Sequence, residues 1–333
     1  MNKLGNTGML VNPVGLGGIP IQRVSKEDAK NIILRAIELG CNFIDSAKAY
    51  TCSEEYIGYA IKGVREKVYL ATKSMALTYE KMKEDINDSL EKFGVEYIDL
   101  YQVHNCKNWN QFKTIYEGAY IALKEEKDQG KIKHIGITSH SLNFVSELLD
   151  SEYANLFETI QIPYNFIEYD SKEIIKKAAL LGKGTIAMKP LGGGEIEKGN
   201  VAIKYLCNDK YLSVIIPGAG SIKEVNENYT ITDYKLTDLD LKYIEEKRSK
   251  IKGTFCHRCG YCLPCSVGID IPTIFTYEKY YIDYDLKDWA KLRYSTSKVD
   301  ASACINCGAC IKRCPYGIDI PKRMEKIKKL FSE

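Results

Sequence analysis

Four ionisable side chains stand at or just beyond the ends of apolar segments, where the catalytic groups of a parallel sheet collect. Asp45, Lys73 and His104 each close a short β-branched run, and Tyr50 follows shortly after Asp45. A phenol can protonate an oxygen that gains negative charge, as a carbonyl oxygen does when hydride adds to its carbon. The set therefore predicts carbonyl reduction, or alcohol oxidation in reverse, with Tyr50 as general acid or base.

The other three side chains each have a task in this chemistry. Because a free tyrosine titrates near ~10, the phenol needs a cation beside it, and Lys73 is that cation. Asp45 holds the ammonium group in place, and His104 orients the carbonyl or shares the phenolic proton. The alternative is a structural ion pair at a barrel rim with His104 as a core histidine. Trp109 is expected to wall the substrate pocket, with simple loop packing as its alternative.

The cysteines indicate a second kind of chemistry. Eight of the 12 form two short runs near the C-terminus, and in a reducing compartment such runs are typical of metal ligands rather than disulfides. The second run, Cys-x₂-Cys-x₂-Cys-x₃-Cys-Pro, matches bacterial ferredoxins. The first has one residue fewer before its last cysteine and has Ser266 in place of the proline. Both are followed by Gly-Ile-Asp-Ile-Pro, at 268–272 and 317–321, so the module is an internal repeat.

Two such runs predict two [4Fe–4S] clusters. Three thiolates on one tight loop can cap three irons of a cube, but the fourth iron faces away and needs a cysteine from the other run. We therefore expect two crossed ligand sets, which are Cys256, Cys259, Cys262 and Cys314 for one cluster and Cys304, Cys307, Cys310 and Cys265 for the other. A pair of tetrahedral zinc sites is the alternative, because cysteine quartets also bind zinc.

The elements that position these residues follow a repeated strand–helix pattern. Strands are expected at 14–17, 43–45, 68–73, 98–104, 134–138, 159–163, 185–190 and 213–217, with helical stretches such as 26–39, 79–93, 114–128, 144–149 and 171–181 between them. Eight short, evenly spaced strands favour a closed (β/α)₈ TIM barrel, an α/β fold that takes roughly 250 residues. We expect the barrel over 1–253 and a small α-helical, ferredoxin-like iron–sulfur domain over 254–333.

Composition excludes several classes of protein. The chain is 45% hydrophobic and 27% charged with a net charge of +3, which gives no sign of nucleic-acid binding. Since no stretch approaches the ~20 apolar residues of a membrane span and the N-terminus lacks a secretory pattern, we expect a cytoplasmic protein.

The barrel segment resembles the aldo-keto reductase superfamily. The motifs that carry the resemblance lie at 42–50, 71–73, 99–104, 136–139, 160–165 and 216–218. The resemblance implies NAD(P)H as hydride donor and a small carbonyl or alcohol as substrate. It also implies that Ser139 and Gln161 bind the nicotinamide carboxamide. Met188, Pro190 and Leu191 then belong to the segment that stacks on the nicotinamide ring, where the family commonly has an aromatic residue in the position of Met188.

The expected cofactor preference depends on the segment 218–228, which in the family binds the phosphate end of the cofactor and here includes Asn228. Gly218 and Glu224 stand where NADP-using relatives often carry lysine and arginine. Glu224 would repel a 2′-phosphate and accept a hydrogen bond from a free 2′-hydroxyl, although the neighbouring Lys223 offsets that charge. We therefore expect a preference for NADH.

The two chemistries differ in the number of electrons that they move. A nicotinamide exchanges a hydride, whereas an iron–sulfur cluster passes single electrons, and the chain shows no signature of the flavin that normally links them. We expect an NAD(P)H-dependent oxidoreductase whose clusters exchange electrons with a redox protein partner. The alternatives are clusters that only staple the small domain, or a redox sensor or electron-transfer adaptor.

Overall fold

The computed structural model describes residues 1–251, 256, 262–314 and 316–332. The chain divides into two compact units, Met1–Thr237 and Asp238–Glu333. The domain boundary expected near Gly253 lies outside the described residues, and the helix that precedes it is grouped with the second unit. Within the described residues, no helix is both long enough and apolar enough to cross a bilayer.

An N-terminal hairpin closes one end of the first unit. Strands β1 (Asn2–Lys3) and β2 (Leu10–Val11) pair antiparallel. Leu4, Met9 and Val11 are buried and form one apolar cluster with interior strand residues such as Phe43 and Leu100. The hairpin turn also binds the backbone ahead of a later strand, since the Asn6 amide donates to the Gly182 carbonyl. The hairpin therefore fills the end of the sheet opposite to the polar residues.

The first unit is built on eight parallel strands that form a nearly closed barrel, which confirms the predicted fold. In chain order these strands are β3 (Leu16–Gly17), β4 (Phe43–Asp45), β5 (Tyr69–Ser74), β6 (Ile98–Val103), β7 (Ile132–Thr138), β8 (Thr159–Pro163), β9 (Gly184–Met188) and β10 (Val214–Ile215). Each strand pairs with its neighbour in the chain. Parallel bridges Val14–Ile215 and Gly17–Gly218 bring the first strand to the last.

Two glycines allow this seam to close. A Cβ on Gly15 would lie 2.8 Å from the Phe43 carbonyl oxygen, and one on Gly17 would lie 2.7 Å from the Ile216 carbonyl oxygen. Their amides instead donate to Ile215 and Pro217. The glycine-rich segment that starts the barrel is thus required for close backbone approach.

Helices surround the sheet. They are α1 (Lys26–Glu38), α2 (Ser53–Ile61), α3 (Tyr79–Phe93), α4 (Trp109–Glu117), α5 (Ala119–Asp128), α6 (Leu142–Asp150), α7 (Lys172–Leu180), α8 (Gly199–Cys207) and α9 (Ile222–Tyr229). The single helix expected over 114–128 is two helices, because the backbone of Gly118 is not helical. The chain passes close to Leu77 here, and a Cβ on Gly118 would lie 2.8 Å from the Leu77 carbonyl oxygen.

The second unit is helical and repeats one local structure. Its helices are α10 (Asp238–Ile251), α11 (Ile271–Ile282), α12 (Lys287–Ser295), α13 (Ala309–Arg313) and α14 (Ile320–Ser332). In each Gly-Ile-Asp-Ile-Pro copy, the glycine is left-handed and its amide donates to the carbonyl of the preceding cysteine, Cys265 or Cys314. The aspartates Asp270 and Asp319 then accept hydrogen bonds from the first turns of α11 and α14. Isoleucines of both copies share one core.

Close packing of α2 on α3 gives a stability prediction. A Cβ on Gly58 would lie 2.5 Å from the Phe93 carbonyl oxygen and 2.6 Å from that of Lys92, and backbone cannot move aside cheaply. Gly58→Ala should therefore lower the free energy of unfolding by about 1–3 kcal/mol, measured by urea titration. The matched helical control Gly199→Ala, where the nearest atom is 3.5 Å away, should leave it unchanged or slightly higher. Equal values for the two variants would contradict this packing account.

Candidate functional site

A buried ion pair lies at the carboxyl ends of β4 and β5. Lys73 Nζ is 2.5 Å from Asp45 Oδ2, and the two side chains are 1% and 3% exposed. The ammonium group also donates to the Ser46 carbonyl oxygen at 2.7 Å. Both residues point into the barrel because side chains alternate between the two faces of each strand.

Burial is the largest influence on both charges. It raises the pKa of Asp45 and lowers the pKa of Lys73. The attraction between the two groups, together with amide donors to Asp45, acts in the opposite direction. Lys73 is thus a cation that the Asp45 carboxylate holds in place. Its ammonium group releases a proton more readily than that of a free lysine.

Two amides complete the surroundings of Asp45. Gln102 Nε2 donates to Asp45 Oδ1 at 3.2 Å and to Gln161 Oε1 at 2.9 Å, and Gln161 Nε2 donates to Asp45 Oδ2 at 3.4 Å. Gln161 is predicted to bind the cofactor, whereas Gln102 is not among the predicted site residues. The sequence pattern does distinguish Gln102, because it is a polar residue two positions before His104 on the inward face of β6, where Ile98 and Leu100 are apolar.

Tyr50 and His104 lie against this pair. Lys73 Nζ is 5.2 Å from the centroid of the Tyr50 ring. The Tyr50 and His104 rings meet edge to face, with centroids 6.1 Å apart and an interplanar angle of 89°. Burial, and secondly the nearby Lys73 charge, lower the pKa of His104 to about 3, so the imidazole is neutral. The four residues predicted to act together are therefore neighbours, since Lys73 contacts Asp45 and lies beside the Tyr50 ring, which in turn meets the His104 ring.

A second polar cluster supports the loop that carries Tyr50. Glu54, in the first turn of α2, is 2% exposed and accepts hydrogen bonds from Thr72 Oγ1 at 2.6 Å and Ser89 Oγ at 2.9 Å. Lys48 forms an ion pair with the other oxygen of Glu54 at 3.3 Å. These contacts fix the 46–54 segment on β5 and α3, on either side of the phenol.

The residues assigned to the nicotinamide end are only partly free to bind a ligand. Ser139 is fully buried, and its hydroxyl donates to the Cys106 carbonyl oxygen at 2.6 Å and accepts from the Ser141 amide at 2.9 Å. Met188 ends β9, partly exposed, and Pro190 and Leu191 follow it. The carbonyl of the intervening Lys189 accepts a hydrogen bond from Asn165 Nδ2 at 2.9 Å.

The residues assigned to the phosphate end surround the start of α9. Gly218 packs on Pro20, where a Cβ would lie only 2.6 Å from the proline ring. Glu224 Oε2 accepts the Gly220 amide at 2.6 Å, so its carboxylate is held over the helix N-terminus. Asn228 is 4% exposed, and within the described part of the chain its Nδ2 has no hydrogen-bond partner.

Trp109 packs within a group of aromatic side chains. Its ring centroid lies 5.3 Å from that of Phe112 and 5.5 Å from that of Phe144. Its indole nitrogen donates to Glu147 Oε2 at 2.7 Å. These contacts favour the packing alternative over the expected wall of a substrate pocket.

Four cysteines of the second unit border one cavity. Cys265, from the first run, lines it together with Cys304, Cys307 and Cys310 from the second, and apolar side chains such as Ile269 complete the lining. This is the crossed set expected for one cluster, and four thiols in an apolar shell suit an iron–sulfur cluster. Of the other expected set, Cys256, Cys262 and Cys314 are described, whereas Cys259 lies outside the described residues.

The neutral state of His104 can be tested directly. With a pKa of about 3 in the folded protein against an ordinary value near 6.5, its imidazole resonances should not titrate between about pH 5 and 8. The unfolded chain then binds a proton that the folded protein excludes, so stability should fall as the pH drops from about 6.5 to 3. NMR of the four histidines, with His104→Gln for assignment, measures this. Titration of His104 near its ordinary pKa would contradict the geometry.

Known protein families account for both units of the chain. The Aldo/keto reductase family matches residues 13–201, which is 189 of the 333 residues. A 4Fe-4S dicluster domain matches residues 255–319.

Curated relatives carry reductase and dehydrogenase names. The chain is 25% identical to L-galactose dehydrogenase of Arabidopsis thaliana, and the match covers 74% of this chain and 92% of the plant protein. It is 33% identical to aldo-keto reductase YhdN of Bacillus subtilis over 52% of this chain and 56% of that protein. Methylglyoxal reductase DkgA of Escherichia coli is 27% identical over 69% of this chain and 86% of that enzyme.

Solved structures share the barrel fold. Aldo-keto reductase AKR11C1 from Bacillus halodurans, at 23% identity, superposes with a TM-score of 0.64 and covers 74% of this chain and 95% of its own. The aldo-keto reductase MGS-M4, from a deep-sea metagenome library, gives a TM-score of 0.60 at 25% identity, with the same two coverages. Because the Aldo/keto reductase family matches more than half of this chain, the chain belongs to that family of oxidoreductases, and a 4Fe-4S dicluster domain follows the barrel.

Proposed function

We propose that the chain uses NAD(P)H to reduce aldehydes or ketones, or oxidises the corresponding alcohols, with Tyr50 as the group that transfers the proton. The observation that carries this proposal is the position of the buried Lys73 ammonium group, which Asp45 holds 5.2 Å from the centroid of the Tyr50 ring. A structural ion pair would need no phenol and no imidazole beside it.

The side chains divide the work of the reaction. Bound NAD(P)H supplies the hydride. The Tyr50 hydroxyl then donates its proton to the carbonyl oxygen, and the Lys73 charge stabilises the phenolate that remains. Because His104 is neutral, it can direct one N–H at the same oxygen and orient the carbonyl without adding a second positive charge. Asp45, with its two amide donors, keeps the lysine in position.

Residues from several loops of the barrel support the binding of a dinucleotide. Asn228 offers a buried amide nitrogen without a partner among the described residues, which suits an acceptor on the adenosine part. The three glycines at 192–194 all have left-handed backbones, as a loop does that lets amides approach a pyrophosphate. We assign Gln161, supported by Gln102, to the nicotinamide carboxamide, and Ser139 to the wall beside it.

The names of the relatives support a proposal for the substrate class. Their names include a sugar dehydrogenase and a reductase of methylglyoxal. We propose small polar carbonyl compounds as substrates, so methylglyoxal and aldoses are the first to assay, with NADH and NADPH and without oxygen.

The carbonyl reductase proposal predicts the effect of removing one hydroxyl. Tyr50→Phe should lower kcat by about 10²–10⁴-fold, because the proton donor is lost while the ring is kept. Cofactor binding, measured by quenching of protein fluorescence, should change little. The matched control is Tyr59→Phe, an exposed tyrosine of α2 whose hydroxyl contacts Glu27. Full reductase activity in Tyr50→Phe would overturn the proposal and favour the sensor or adaptor alternative.

We propose that NADH is preferred over NADPH. The Glu224 carboxylate, fixed by the Gly220 amide, keeps a negative charge where a 2′-phosphate would approach. Glu224→Gln should therefore lower the KM for NADPH roughly tenfold, which corresponds to about 1.4 kcal/mol, and should leave the KM for NADH nearly constant. Glu173→Gln, in the first turn of α7 and paired with Lys176 at 3.9 Å, is the control. A wild-type KM that is much lower for NADPH would refute this preference.

We further propose that the second unit holds two [4Fe–4S] clusters in the crossed sets and exchanges electrons with a redox protein. The cavity bordered by Cys265 and three cysteines of the other run supports the crossed arrangement. Bleaching the clusters with mild oxidant should then abolish electron exchange with the partner. If electron exchange and turnover stay intact while thermal stability falls, the clusters serve only to stabilise the folded unit.

A further inference from the structure

We propose that the hydroxyl of Ser266 raises the reduction potential of the cluster held by Cys265, Cys304, Cys307 and Cys310 above that of the other cluster. This inference rests on the proposed cluster sets. The two copies of the repeat differ at the residue after the fourth cysteine, which is Ser266 in the first run and Pro315 in the second. The two clusters are then inequivalent at one defined position.

The structure places Ser266 on a ligand of the opposite run. Ser266 Oγ lies 3.4 Å from Cys307 Sγ. A cysteine that binds iron does so as a thiolate and has no proton to give, so the hydroxyl must be the donor. Ser266 directly follows Cys265, which borders the same cavity as Cys307. Two consecutive residues thus bring a ligand and a hydrogen-bond donor to the same cluster.

An arginine holds the two runs in this register. Arg313 Nη2 donates to the Pro264 carbonyl oxygen at 2.8 Å, and its Nε donates to the Ala309 carbonyl oxygen at 3.2 Å. Pro264 lies two residues before Ser266, and Ala309 lies two residues after Cys307. These two hydrogen bonds of Arg313 therefore hold the segment that carries Ser266 beside the loop of the second run.

A hydrogen bond to a ligand sulfur changes the potential because reduction adds charge. The reduced cluster carries one more electron than the oxidised cluster, so a positive hydrogen at the sulfur stabilises the reduced form more and raises the potential. No bond breaks in this step, and the only co-reactant is a one-electron donor, which is dithionite in the experiment below.

The second run has proline at the position that serine occupies in the first run. By the repeat, Pro315 corresponds to Ser266 and Cys259 corresponds to Cys307, and both Pro315 and Cys259 lie outside the described residues. The chemistry of proline suffices here, because it has neither a hydroxyl nor a backbone N–H to donate. The first electron should therefore reside on the cluster with the serine. Its ligand Cys307 is exposed and the neighbouring Ile305 is 63% exposed, so this electron sits at the protein surface.

The test is an EPR-monitored redox titration of the full-length protein, purified without oxygen and checked for iron and labile sulfide. Wild type should show two reduction steps. Ser266→Ala should move only the higher step to more negative potential, with a roughly two- to tenfold change in the ratio of reduced to oxidised cluster. Tenfold corresponds to about 59 mV for one electron. Ser266→Thr, which keeps the hydroxyl, should stay near wild type, and Ser266→Pro should shift at least as far as Ser266→Ala.

Ser295→Ala is the matched control, since this exposed hydroxyl of the same unit donates to the Leu292 carbonyl oxygen. Unchanged midpoints in an iron-replete Ser266→Ala protein would overturn the inference, as would a shift of the lower step alone. If Ser266→Pro fails to assemble clusters, the Ala and Thr variants still decide. Wild-type protein that contains no iron–sulfur signal, or contains zinc, would instead overturn the proposed clusters.

Discussion

The active end of the barrel depends on one buried ion pair. Removing a carboxylate and an ammonium group from water costs several kcal/mol for each ion, and only close pairing with further hydrogen bonds compensates for it. Here Asp45 and Lys73 meet at 2.5 Å, Gln102 and Gln161 donate further hydrogen bonds to Asp45, and the Ser46 carbonyl accepts one from Lys73. The arrangement places a positive charge against a phenol at the barrel mouth. The neutral imidazole of His104 follows from the same burial and the same charge.

The second unit meets a different constraint, because a small module must hold four thiols around a reactive group. One local structure occurs twice in this unit, in which a left-handed glycine turns the chain after the last cysteine of a run and an aspartate then caps a helix. The barrel family moves hydride, whereas such clusters move single electrons. A chain that contains both has to separate the two kinds of transfer or connect them through a further redox component.

Much of the fold could be predicted because strands and helices leave different periodic patterns. All eight barrel strands were found, and β4 and β8 have the predicted bounds. Features set by tertiary packing were not predictable. The break at Gly118 depends on the distant Leu77 carbonyl, and the role of Gln102 depends on neighbours on β4 and β8 that only the closed barrel provides. The family of each unit could be read from its motifs, whereas the bonding of Ser139 to the Cys106 carbonyl could not.

We propose that the Lys73 cation enables Tyr50 to exchange a proton with the substrate. This proposal is tested most directly by the pH dependence of kcat/KM in wild type and in the double variant Lys73→Met/Asp45→Asn, which removes both charges and leaves no unpaired ion in the core. We expect the ionisation that governs activity to move to higher pH in the double variant and the maximal rate to fall. An unchanged profile with an unchanged maximal rate would contradict it.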